Sequence, residues 1–265
     1  MPDHLPRRPP RAPHQALLGW LLGWWQLIEL GARLAALALS PSSYRRAQRP
    51  LLRQACYRAT VPLLLPFGLI SAIAAQIIIR IVLATAASYG LSRYALDVLI
   101  RTLVLELIPL SAVLFTAVRA TMPAGARLRG LRQQGLFKAQ FARGLDPLRD
   151  QVLPQALAGM FAAVTLTALS GLLALLLTYL SVYGFGSWGL PGFTRSVGQI
   201  FTPVIVLIFG LKTLLLSLAV AIIPMLPTPR ELQDAPLGSG DIGRLARLLA
   251  VVLAVELLSL VGNYY

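Results

Sequence analysis

Five apolar stretches dominate this chain, running over about Val61–Ser88, Tyr94–Val118, Val152–Tyr183, Val197–Ile223 and Leu245–Val261. Each is near or above the roughly 20 residues that cross a hydrocarbon core of about 30 Å. Lipid offers the backbone no hydrogen-bond partner, so such stretches fold as helices that satisfy their own N–H and C=O groups. The fold class follows: an all-α integral membrane protein. The third stretch is long enough to tilt, or to break near Gly171. After it, Gly184-Phe185-Gly186-Ser187-Trp188-Gly189 and Pro191-Gly192 predict a turn-rich loop.

The charges that remain are sparse and lopsided. Only 13% of the 265 residues are charged, with 24 Lys+Arg against 10 Asp+Glu and a formal net charge of +14. In a soluble chain that surplus would suggest nucleic acid. Here the bases cluster between apolar stretches, so membrane orientation and anionic lipid explain them better, and no nucleic-acid partner is expected. Arg119, Arg127, Arg129, Arg132, Lys138, Arg143 and Arg149 crowd the second connection, whereas the first offers Arg93 and the third Arg195. The positive-inside rule then places the N-terminus, the 119–151 loop and the 224–244 loop in the cytoplasm, with the C-terminus outside.

Ahead of the first span the chain reads differently. Residues 1–15 form a basic, proline-rich leader expected to be disordered; Met1–Pro13 alone holds five prolines and three arginines. Leu17–Leu39 is almost wholly apolar, but Gln26, Glu29 and Arg33 make one polar stripe, and Trp20, Trp24 and Trp25 are interfacial anchors. That pattern fits an amphipathic helix lying in the membrane surface. A spanning helix and a cleaved signal peptide are the alternatives, and Glu29 and Arg33 interrupt the apolar run a signal peptide needs. A basic hinge follows, Tyr44–Arg58, with Arg45, Arg46, Arg49, Arg53 and Arg58. The expected organisation is thus a leader (1–15), an interfacial helix and hinge (16–60) and a five-helix domain (61–265) with a cytoplasmic coupling segment (120–150).

Function must be sought among the few polar residues inside the spans, because intramembrane charges are costly and mark pathways or partners. Arg80, Glu106, Lys212 and Glu256 are such residues, and Gln76 is polar mid-span. Counted from the ends of their helices at about 1.5 Å per residue, Arg80 and Glu106 lie at similar depth, as do Lys212 and Glu256, so each couple is expected to pair. Gln76 is expected to make an interhelical hydrogen bond, and Pro109 and Pro203 to permit kinks. Leu128, Leu131 and Phe137 make an apolar ridge on the coupling segment, read either as a docking ridge or as an ordinary interfacial face. Enzymatic chemistry is not expected. His4 and His14 lie in the leader, Cys56 is alone, and Glu106 and Glu256 are far apart in sequence. Lys212-Thr213 follows Leu211 rather than a glycine, so no phosphate-binding loop of the Walker type is present and any ATP must be bound by another chain.

One region carries a more specific signal. Glu106-Leu107-x-Pro109, Arg119-Ala120, Leu145-Asp146-Pro147-Leu148-Arg149, Pro154 and Ala158-Gly159 together resemble the MlaE/YrbE family of ABC-type lipid-transport permeases. Lys212 and Gln76 resemble further family positions. The resemblance implies a permease subunit that moves phospholipids between the inner and outer membranes of a diderm bacterium. It also implies an inner-membrane location and a second permease subunit. ATP would be bound by a cytoplasmic ATPase partner, with no cofactor in this chain, and lipid would pass to a periplasmic MCE-domain protein. Gln76, Arg80, Glu106, Arg119 and Lys212 become substrate-path candidates. Arg127, Leu128, Leu131, Arg132, Phe137, Asp146 and Pro147 become ATPase-coupling candidates. The chain departs from the family's pattern at Ile108 and Val118, where glycines are usual, and at Arg127, where the coupling helix is usually acidic. That last change requires a re-matched dock or marks a divergent, scaffold-like subunit.

Overall fold

The computed structural model describes residues 31–40, 49–144, 146–225 and 241–264, together with 25, 28 and 29. The leader, Trp20, Trp24, the hinge residues Arg45 and Arg46, and most of the 224–244 loop lie outside the described residues. Among those described there is no strand. A short helix α1 (31–39) precedes α2 (Arg49–Ser88), α3 (Tyr94–Gln133), α4 (Leu136–Ala142), α5 (Leu148–Tyr183), α6 (Leu190–Ile200), α7 (Pro203–Met225) and α8 (Asp241–Tyr264). Five of them, α2, α3, α5, α7 and α8, are long and apolar enough to cross a membrane.

Burial is inverted relative to a water-soluble bundle. Leu65, Leu69, Ile73 and Ile77 of α2 and Leu172 of α5 are exposed, a face suited to acyl chains. Small and hydroxylated residues fill the inside instead. Thr116, Thr167 and Thr178 are buried and donate to the carbonyls of Ala112, Ala163 and Ala174 one turn back, at 2.7–2.9 Å. Helices approach closely where side chains vanish. A Cβ on Gly125 would lie 2.1 Å from the Pro224 carbonyl oxygen, and one on Gly159 would lie 2.5 Å from Thr121 Cγ2. These glycines let α3 meet the end of α7 and the start of α5.

Prolines set the local geometry. Wide π-type turns at Ile100–Leu107, Ala117–Thr121 and Leu148–Val152 each end two residues before a proline, namely Pro109, Pro123 and Pro154. Proline has no N–H for the carbonyl four residues back and its ring crowds that carbonyl, so the preceding turn widens. Pro203 acts differently. Thr202 before it is extended (φ −64°, ψ 157°), and its hydroxyl caps Ile205 N–H at 3.4 Å, so α7 starts there. The fourth span therefore begins at 203 rather than at the expected 197, and Leu190–Ile200, expected as loop up to 196 and as span beyond it, is a separate helix. Tyr179, Tyr183, Trp188 and Phe193 pack their rings together at this end, with centroids 5.3–6.3 Å apart. Gly171 does not break α5; it is buried in an unbroken helix beside Val104. The second span also runs past 118, so Arg119 is helical.

The core is layered along the bundle. One end joins Ala75, Ile79, Leu99 and Leu103, and the middle joins Val113, Ala163, Leu216 and Val252. The opposite end gathers Leu34 of α1 with Ala124, Leu128, Val152, Ile222 and Met225. The polar stripe of the N-terminal helix is partly internal to it, since Arg33 pairs with Glu29 at 2.6 Å on the exposed side.

Candidate functional site

The middle of the bundle holds a buried ion cluster assembled from three helices. Lys212 of α7, only 3% exposed, directs its ammonium at Glu106 of α3 and Glu256 of α8. Lys212 Nζ donates to Glu256 Oε1 at 2.9 Å, to the Leu105 carbonyl at 3.1 Å, and to Glu106 Oε2. An ammonium has three N–H donors, and here each has an acceptor. The third acceptor exists because of Pro109. It stands four residues after Leu105 and has no N–H to offer that carbonyl, which is left for Lys212. The spacing of Leu105, Glu106 and Pro109 thus delivers a carboxylate and a freed carbonyl to one cation.

Depth makes the cluster consequential. Lys212 is nine residues from Pro203, or about 14 Å, and thirteen from Met225, or about 20 Å. It sits well inside the hydrocarbon thickness, where an unpaired charge costs several kcal/mol. Pairing and hydrogen bonding offset that cost and fix α3, α7 and α8 in one relative register. Two carboxylates share one ammonium, and buried Glu256 Oε2 has no hydrogen-bond partner among the described residues. The cluster therefore keeps one acceptor open inside the bundle.

The expected Lys212–Glu256 pair forms, and the expected Arg80–Glu106 pair does not. Arg80 is exposed on the outward face of α2 near Ile73, Ile77 and Ile81, with no ion-pair partner among the described residues. Its neighbour Ile79 is the residue that points into the core, fully buried. Glu106 and Glu256, read from the sequence as single and dispersed carboxylates, meet on Lys212 in the fold. No group of three or more His, Cys, Asp or Glu suited to a metal occurs among the described residues.

The other candidates separate into three sets. Gln76 Nε2 donates to Ser181 Oγ at 3.3 Å and ties α2 to α5. Leu128 is buried, and Leu131 and Phe137 pack beside it against α1, α5 and α7, so the apolar ridge of the coupling segment faces its own bundle. Arg132 donates to the Met225 carbonyl at 3.2 Å and lies over the Phe137 ring at 5.2 Å. Asp146 is exposed and accepts from Leu148 N–H at 3.1 Å, with Pro147 beginning the helix, a cap arrangement. Arg119 and Arg127 are exposed and border a cavity at the basic end of the bundle, together with Arg58.

Sequence reasoning missed Leu105, Ser181 and Arg244. The signal for Leu105 was its four-residue spacing from Pro109; Ser181 had none beyond being a hydroxyl at the far end of α5. Arg244 is 1% exposed at the start of α8, a buried guanidinium with nothing in its local sequence to mark it.

Comparison with known proteins gives a family match. The family described as Permease MlaE matches residues 52–228, from the start of α2 to just beyond α7. No curated protein matches the chain.

Proposed function

From its membership of the MlaE permease family, an ABC-type lipid-transport permease family, we propose that this multi-pass membrane chain moves phospholipid between the inner and outer membranes of a diderm bacterium. A separate cytoplasmic ATPase drives it, a periplasmic MCE-domain protein exchanges lipid with it, and a second permease subunit completes the pore. The chain itself performs no bond chemistry and binds no cofactor. The inner membrane is its location, with the N-terminus and the arginine-rich 119–151 loop on the cytoplasmic side.

The family match over residues 52–228 carries this reading. The buried cluster supports it physically, because three spanning helices tied at one point can pivot together when force is applied at their basic ends. Gln76, Arg80, Glu106, Arg119 and Lys212 remain the substrate-path residues to test. Asp146, Pro147 and Arg127 remain the exposed or helix-starting part of the coupling set, next to Leu128, Leu131, Arg132 and Phe137.

A second reading, a permease-like scaffold without its own lipid path, draws on one observation. The apolar ridge is spent on the bundle, leaving Arg127 as an exposed basic residue on the coupling helix. Isolation from native membranes in mild detergent separates the two. An ATPase and an MCE-domain protein in the particle, with ATP-dependent lipid transfer on reconstitution, are expected. A stable particle without an ATPase would overturn the transporter reading in favour of the scaffold.

A further inference from the structure

At the basic end of the bundle, α2, α3 and α5 enclose a cavity of about 410 Å³, within the size range of small-molecule sites. Arg58, Arg119 and Arg127 line it against one described acid, Asp150, so its described lining carries two positive charges in excess. None of the three guanidiniums has a hydrogen-bond or ion-pair partner among the described residues. All three are exposed at the mouth, whereas Leu63 and Leu128 at the floor are buried. Leu51 and Leu131 extend that apolar wall.

The level of the cavity in the membrane follows from counting. Arg58 lies 30 residues before Ser88, Arg119 lies 25 after Tyr94, and Gln155 lies 28 before Tyr183. At about 1.5 Å per residue these are about 45, 38 and 42 Å from the opposite end of each helix. A bilayer with its head groups is about 40–45 Å thick. All three helices therefore bring the cavity to the head-group layer of the leaflet on the side of the basic loop.

We propose that this cavity is a phospholipid head-group site: the guanidiniums of Arg58, Arg119 and Arg127 bind the phosphate, and the leucine floor takes the glycerol end of the lipid. Guanidinium forks match phosphate oxygens in geometry as well as charge. The excess of two charges favours an anionic lipid over a zwitterionic one. The site is separate from the buried cluster, since none of Glu106, Lys212 and Glu256 lines it. It deepens the permease reading and rests on it for the choice of a lipid over phosphate from solution.

The test uses the full chain in phosphatidylcholine nanodiscs containing phosphatidylglycerol with a photoreactive group at the glycerol end of an acyl chain. Labelled peptides are mapped by mass spectrometry. Label is expected on the segments bearing Leu51–Leu63 and Ala124–Leu131, and it should fall about tenfold or more in Arg58→Gln/Arg127→Gln, as loss of charge-assisted hydrogen bonds implies. Ala55→Trp, which fills the cavity without changing its charge, should lower it as well. Label on the lipid-facing segment around Leu172 serves as the internal control for folding. Undiminished label in the double arginine variant would overturn the site. Displacement of the label by inorganic phosphate would assign the cavity to free phosphate and overturn the lipid. No ATPase is present in this measurement, so failed ATP-driven transfer would count against the permease reading and leave the site standing.

Discussion

Two groups of charges in this molecule solve the same problem in opposite ways. The Lys212–Glu106–Glu256 cluster lies deep in the bundle and satisfies its cation internally, with three acceptors for three donors. Arg58, Arg119 and Arg127 stand at the head-group layer without a hydrogen-bond or ion-pair partner among the described residues and face a cavity. Depth explains the contrast. A charge buried among helices in the hydrocarbon layer is costly unless paired within the protein. A long side chain on the lipid face, such as Arg80, can reach toward the interface, and at the head groups water and lipid phosphate serve as partners. The first arrangement holds structure together and the second is free to bind.

The contrast is broken most severely by removing the central cation. Lys212→Met leaves two buried carboxylates without their counter-charge, and a loss of about 3–5 kcal/mol is expected, read as a collapse of the melting temperature in detergent. Next comes the contact that joins the two regions. Gly125→Val pushes a side chain into the Pro224 carbonyl, separating α3 from α7 next to Ala124 and one turn from Leu128, at a cost of about 1–3 kcal/mol in the same melting measurement. Gln76→Leu removes the hydrogen bond to Ser181 and should cost about 0.6 kcal/mol, the usual size for a polar contact between spanning helices. The smallest effect sharpens the comparison. Arg58→Gln and Arg127→Gln should each change stability by less than about 0.5 kcal/mol, because the exposed guanidiniums support nothing in the fold. A large destabilisation there would erase the distinction between a structural and a binding group of charges.

Much of this was legible in the sequence, and the limits have physical causes. The five spans follow from hydropathy because lipid permits little else, and their interiors agree with the helices. The ends were less legible, since the Thr202-Pro203 step that starts α7 lies inside a continuous apolar run. Depth counting found the Lys212–Glu256 pair and failed for Arg80. Two residues at one depth meet only if both point the same way, and each residue turns a helix by about 100°. Ile79 took the inward direction, so Arg80 faces out. The ridge of Leu128, Leu131 and Phe137 was visible as apolar spacing, but the pattern does not state what covers it; the covering surface is the chain's own α1, α5 and α7. The freed Leu105 carbonyl was readable from Pro109, given the knowledge that a lysine would come to it.

The central claim is that Lys212, Glu106 and Glu256 act as one unit. It is tested most directly by measuring the cost of Lys212→Met twice, in the native chain and in the Glu106→Gln/Glu256→Gln background, by equilibrium unfolding in the same detergent. If the three form a unit, the substitution is far less damaging once both carboxylates are neutral, and the triple variant is more stable than Lys212→Met alone. Equal costs in the two backgrounds would show that the lysine acts independently of the carboxylates, and the cluster would lose its standing as the organising centre of the bundle.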